Sequence, residues 1–255
     1  MVAFSADLDC LFAERPFLER FKAAYDAGFA AAEFTLDPKI PLGELGDACA
    51  YNGLKTTVLT MPAEQSELAF NPKTKKDFLA HFDRLLDVAD FIECKKVYVK
   101  GMTLTEENFD TARDAFVSAL HAAGAKAKAK AQKVQILIGF ENATENEGFY
   151  PASTLEVLQI LDELDDDKAF AYLYDVYHAQ TTEGGISNTL ESLMPLIGHI
   201  RVAGAPLHDE PDNGELNYDY LFSVIETHAY AGKIGCSYTP RLTTETGLKW
   251  MKKYV

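Results

Sequence analysis

The residues of this chain best suited to chemistry sit in Tyr174-Asp175-Val176-Tyr177-His178, where an Asp and a His stand three apart as an apolar run gives way to a polar loop. A carboxylate can ligate a cation or move a proton, and an imidazole can hydrogen-bond a substrate near neutral pH. Polar residues also end the other apolar runs: Asp7 and Asp9, Glu33, Thr60, Lys100, Gly139-Phe140-Glu141-Asn142, Arg201 and Ser237. Carboxylates alone would suit a hard cation. With Lys100 and Arg201 among them, the set better suits a salt-bridged pocket for an anionic or polyhydroxy ligand.

Elements able to bring these residues together follow from the alternation of the chain. Apolar runs begin near Val2, Ala30, Leu54, Val97, Val134, Phe170, Ile197 and Ile234 and read as strands. Segments with helical spacing follow them: Pro16 to Gly28, Pro41 to Asn52, Pro72 to Glu93, Thr105 to Ala131, Thr154 to Leu164, Ile186 to Leu193, Tyr218 to His228 and Thr243 to Lys252. Pro16, Pro41 and Pro72 fit helix starts, Ser153 or Thr154 fits a cap for the segment carrying Glu156, and Gly28 and Gly53 fit stops. Eight such units predict a (β/α)8 TIM barrel occupying residues 1–255 as a single domain, with its chemistry at the carboxyl ends of the strands. A doubly wound open sheet would call for a G-x-G-x-x-G turn after the first strand, and that turn is absent.

Composition narrows the partners. The net charge of −15 offers no basic face to neutralise phosphates, so no nucleic acid and no anionic membrane is expected. The Lys126 to Lys133 run reads as a solvated helix end. Neither a signal segment nor a spanning apolar run is seen, which predicts a cytoplasmic protein. Cys10, Cys49, Cys94 and Cys236 are scattered and read as free thiols.

The segments Y-D-V-Y-H-A-Q, I-G-H-I-R-V-A, E-P-D-N-G-E-L-N-Y, I-G-C-S-Y-T-P and T-T-E-T-G-L-K-W closely resemble the hydroxypyruvate isomerase family, one of the xylose isomerase-like barrels. At the N-terminus, F-S-A-D-L-D-C-L-F and R-P-F-L-E-R-F-K-A-A-Y-D-A-G-F resemble the family's opening strand and helix. The resemblance covers nearly the whole chain except a shortened loop between about Pro62 and Lys76. It implies an isomerase of small hydroxy-keto acids or sugars that binds one divalent cation, such as Mg or Mn, through four strand-end ligands and moves protons through an enediol. In that alignment Asp175 matches a ligand and His178 a substrate contact. Gly139 stands where the first catalytic Glu belongs, Arg201 where Gln or His would bind metal, and Ser237 where the second Glu belongs. His208-Asp209-Glu210-Pro211 replaces R-H-E-P.

A cation needs charge and several oxygens, and Asp175 and Ser237 beside a fixed guanidinium supply a net charge near zero. Metal binding by the family geometry is therefore expected to fail, with no cofactor and with Arg201 paired to Asp175 in the cation's place. Residues 139 and 141 share strand parity, so Glu141 is a candidate to project into space left by Gly139. The expected site is Glu141 and Asp175 as proton-transfer groups, with His178, Arg201, Ser237, Lys100 and Asn142 contacting substrate. His199 is expected to face the helix layer. A non-catalytic barrel that binds an anionic metabolite or a protein partner is the alternative.

Overall fold

The computed structural model describes residues 2–129 and 133–254. Strands form where the apolar runs lie: β1 (Phe4–Asp7), β2 (Ala31–Thr35), β3 (Lys55–Thr60), β4 (Lys96–Tyr98), β5 (Gln135–Ile138), β6 (Phe170–Asp175), β7 (Ile197–Val202) and β8 (Ile234–Cys236). Hydrogen bonding orders them β1-β8-β7-β6-β5-β4-β3-β2 and closes them as a barrel, each strand beside its neighbour in the chain. β1 pairs with β2 and β8, β8 with β7, β3 with β4, β4 with β5 and β5 with β6, each in parallel, as connections through helices require. Met102–Thr103 and Phe149–Tyr150 form a separate two-stranded antiparallel sheet.

The main helices are α1 (Phe17–Asp26), α2 (Leu42–Cys49), α3 (Lys75–Phe91), α4 (Phe109–Ala129), α5 (Thr154–Leu164), α6 (Val176–Thr182), α7 (Ile186–Leu193) and α8 (Tyr218–Thr227). Pro16 and Pro41 each occupy the position before the first helical residue, where a missing N–H costs no intrahelical bond. Ser153 caps α5 by accepting from the Glu156 N–H at 3.2 Å. Gly28 (φ 94°) and Gly53 (φ 79°) turn the chain in the left-handed region that favours glycine. The expected end of α4 at Ala131 and residues 130–132 of the lysine-rich run lie outside the described residues. The final expected helix is short, Thr244–Gly247, and continues as a 3-10 turn over Leu248–Lys253.

The chain divides into two compact units. The first comprises Met1–Phe34, Lys39–Thr57 and Tyr174–Val255. Its packing is aromatic: Phe4 meets Phe222 and Trp250 edge-on at 5.5 and 5.2 Å, and Phe21 meets Phe34 at 5.2 Å. The second comprises Thr35–Pro38 and Val58–Leu173. There Tyr98, Leu137 and Ala171 are register partners on successive strands and so face one side, joined by Val58 and Leu173 in a buried cluster. Outside that layer Phe70 stacks on Phe116 at 4.1 Å.

Candidate active site

In the first unit, register decides which polar residues meet. Asp7 of β1 pairs with Glu33 of β2, Arg201 of β7 pairs with Gly235 of β8, and side chains two apart on a strand share a face. That face gathers Asp7, Glu33, His199, Arg201 and Ser237, all buried. Glu33 is its centre. Its Oε1 accepts from Arg201 Nε at 2.7 Å, and His199 Nε2 lies 2.6 Å from its Oε2. Thr57 Oγ1 adds a longer contact to Oε2 at 3.4 Å. Arg201 Nη2 reaches toward Asp7 Oδ2 at 3.8 Å, and Ser237 Oγ donates to the same Oδ2 at 2.8 Å. Asp7 Oδ1 accepts from the Asp9 N–H at 3.0 Å.

Gly235 makes this packing possible. A Cβ there would stand 2.6 Å from Glu33 Oε2 and 2.9 Å from His199 Nε2, so any side chain would displace both.

The two carboxyls respond oppositely to one enclosure. Burial alone would raise Glu33, but His199 and Arg201 overcome it and hold the carboxyl down at about 2. Burial pushes Asp7 up to about 7; Arg201 opposes the rise, while Asp9 and Glu33 add to it. Glu33 is therefore the fixed anion of the pair, and Asp7 exchanges its proton near neutrality.

Three expectations differ from the structure. His199 does not face the helix layer: it is two residues from Arg201, shares its side of β7 and turns to Glu33. The carboxylates that close on Arg201 are Glu33 and Asp7 instead of Asp175. Asp175 ends β6, and its Oδ1 accepts from the N–H groups of Tyr177 at 2.9 Å and His178 at 3.3 Å. It thereby caps α6, so His178 stands in the first turn of a helix and not in a loop. The His178 ring lies 5.8 Å from that of His208, which stacks on Tyr177 at 3.9 Å and places Nε2 3.1 Å from the Ser237 carbonyl. His208 holds φ at 56°, an uncommon setting for a non-glycine residue.

In the second unit, Lys100 Nζ lies 3.7 Å from Glu141 Oε1, and Asn146 Nδ2 donates to Glu141 Oε2 at 3.0 Å. Asn142 is buried and binds Glu145 through both its amide oxygen and its amide nitrogen. At Gly139 an added Cβ would meet the Leu173 carbonyl oxygen at 2.8 Å.

A profile of the xylose isomerase-like TIM barrel matches residues 21–254. Hydroxypyruvate isomerase of Escherichia coli (strain K12) is 33% identical, with 100% of both chains covered. A 2-oxo-tetronate isomerase of Cupriavidus necator is 34% identical over 100% of this chain and 99% of its own. The chain belongs to the xylose isomerase-like TIM barrel family. Within it, it is a hydroxypyruvate isomerase-like protein. A crystal structure described as AP endonuclease, family 2, from Brucella melitensis superposes with a TM-score of 0.93 at 29% identity, covering 100% of this chain and 99% of that one.

The divalent cation that the family resemblance implies does not fit the donors at the matching positions. Gly139 brings no donor, Arg201 brings a cation already bound to Glu33, and Ser237 gives its hydroxyl to Asp7. Asp175 brings one carboxylate, with an oxygen engaged in the α6 cap. Among the described residues, no three His, Cys, Asp or Glu side chains are grouped so as to hold a metal ion.

Proposed function

We propose that this protein isomerises small hydroxy-keto acids or related sugars by acid–base proton transfer, without a divalent cation. One observation carries the reading: Arg201 is a fixed guanidinium at the strand ends, its Nε 2.7 Å from Glu33 in a buried setting. A positioned guanidinium can bind a substrate carboxylate or polarise a carbonyl oxygen, the electrophilic work an enediol route requires. Asp175 or Glu141 is the proton-transfer group expected from sequence, with His178, Ser237, Lys100 and Asn142 as substrate contacts. The full-length similarity to proteins named as isomerases supports catalysis over a purely binding role.

A small molecule is the proposed partner, and the cytosol the proposed location. Nucleic acid is not proposed, since the chain's net charge of −15 gives no surplus of cations for phosphate. Among the described residues, no helix is long and apolar enough to cross a membrane.

The test is turnover of hydroxypyruvate and of a 2-oxo-tetronate by chelator-treated protein, with and without Mn²⁺ or Mg²⁺, alongside calorimetric titration with each ion. Turnover that persists in excess chelator, with no heat of ion binding, is the expected result. Turnover that appears only with added ion, or one tight ion site, overturns the metal-free mechanism.

A further inference from the structure

Each base expected from sequence is already engaged. Asp175 Oδ1 takes two backbone N–H groups at the start of α6, and Glu141 is held by Asn146 beside Lys100. Asp7 is hydrogen-bonded as well, its Oδ1 taking the Asp9 N–H at 3.0 Å, but a hydroxyl and a guanidinium share its other oxygen. Its Oδ2 receives the Ser237 hydroxyl at 2.8 Å and lies 3.8 Å from the Arg201 guanidinium, so a carboxyl, a hydroxyl and a cation converge at the ends of β1, β8 and β7. We propose that Asp7, and not Asp175 or Glu141, is the catalytic acid–base residue, with Ser237 passing the hydroxyl proton and Arg201 holding the substrate oxygen. This rests on the isomerase reading above and names the group that performs its proton transfer.

The step balances within the substrate. An Asp7 oxygen takes the proton from the carbon next to the carbonyl; that C–H pair becomes the C=C of an enediol, and the carbonyl π pair moves onto the oxygen beside Arg201. Return of the proton to the former carbonyl carbon, with one hydroxyl proton moved between the two oxygens through Ser237 Oγ, gives the isomer. One carbon is oxidised and its neighbour reduced, so no outside oxidant or reductant enters.

The electrostatics agree with the geometry. The charged and titratable groups facing Asp7 are Arg201 on β7, Glu33 on β2, Asp9 in its own loop and Cys236 on β8. Their sum, dominated by burial, leaves Asp7 exchanging its proton at about 7, near the optimum for a general base at neutral pH.

The experiment is steady-state turnover of hydroxypyruvate, with deuterium wash-in from D2O, by wild type, Asp7→Asn and Asp7→Glu. Asp7→Asn keeps an oxygen able to accept from Ser237, so the fold should persist; its kcat is expected to fall by about 10²–10⁴-fold with loss of wash-in and little change in KM. Asp7→Glu is expected to recover part of the loss. The wild-type kcat/KM profile gives a readout that depends on no variant: it should fall about tenfold per pH unit below about 7. Near-wild-type turnover and wash-in by Asp7→Asn, or an acid limb at the ordinary carboxylate value, overturns the assignment to Asp7 alone. A wild type inactive on both hydroxypyruvate and 2-oxo-tetronate overturns the isomerase reading together with it.

Discussion

Two groups of charged residues stand at strand ends, and they differ in kind. In the first unit, Glu33, Arg201, His199 and Asp7 are enclosed: Glu33 and His199 are at most 1% exposed, burial raises Asp7, and contacts as short as 2.6 Å hold Glu33 down. In the second unit, Lys100 and Glu141 are 34% and 20% exposed and stand 3.7 Å apart. Water screens the second pair and not the first, so charges of the same types carry very different energies. Enclosure, more than residue type, sets which charges can tune one another.

The largest break in that contrast is Arg201→Met. It leaves Glu33 and Asp7 buried without their common cation, and stranding a buried charge costs about 3–5 kcal/mol. Denaturant unfolding at pH 7 should show a loss in that range. A loss under about 1 kcal/mol would mean the cluster is far more hydrated than its burial indicates.

The pH dependence of stability is the next largest effect, and it has two limbs. Glu33 sits below its ordinary value of 4.5, so its contribution is full above 4.5 and is lost as pH falls through about 2. Asp7 sits above its ordinary 3.8, so its contribution is full below 3.8 and is lost as pH rises through about 7. Between pH 4 and 7 the Asp7 limb should lower stability by a few kcal/mol, because each tenfold change in proton affinity on folding is worth about 1.4 kcal/mol. Unfolding curves across that range should flatten in Asp7→Asn, and an unchanged slope would assign it to other groups.

Gly235→Ala follows, at about 1–3 kcal/mol, the usual cost of overfilling a packed interior. The new Cβ would meet the far end of Glu33, which cannot swing aside without giving up Arg201 and His199. Calorimetric melting should show the loss.

Much of the fold was legible because each apolar run is short and each is bounded by a segment of helical period. The strand-end residues were legible as well, since parallel strands in a barrel all expose their carboxyl ends on one side. Their partners were not. That Arg201 closes on Glu33 follows from the registers of β1 with β2, β1 with β8 and β7 with β8, which the sequence of one strand does not state. His199 was within reach: it is two residues from Arg201, and period two alone puts both on one face. α6 was harder to see, because it opens on Val176 and Tyr177, which are weak helix formers, and its clearest signal is the Asp175 cap. Gly139 was legible as a missing donor, but the closeness of the Leu173 carbonyl oxygen to a Cβ at that position was not, since it depends on the neighbouring strand.

The smallest expected effect is also the control. Lys100→Ala removes a cation 3.7 Å from Glu141, where solvent reaches both partners and Asn146 still donates to the carboxylate. Pairs of this kind contribute about 0–1 kcal/mol, and neither group is stranded when the other is removed. Denaturation of Lys100→Ala should therefore fall within about 0.5 kcal/mol of wild type at low salt, with the difference shrinking further as salt screens the pair. A loss approaching that of Arg201→Met would mean that Lys100 and Glu141 are as enclosed as Glu33 and Arg201, and the contrast between the two groups would no longer rest on burial.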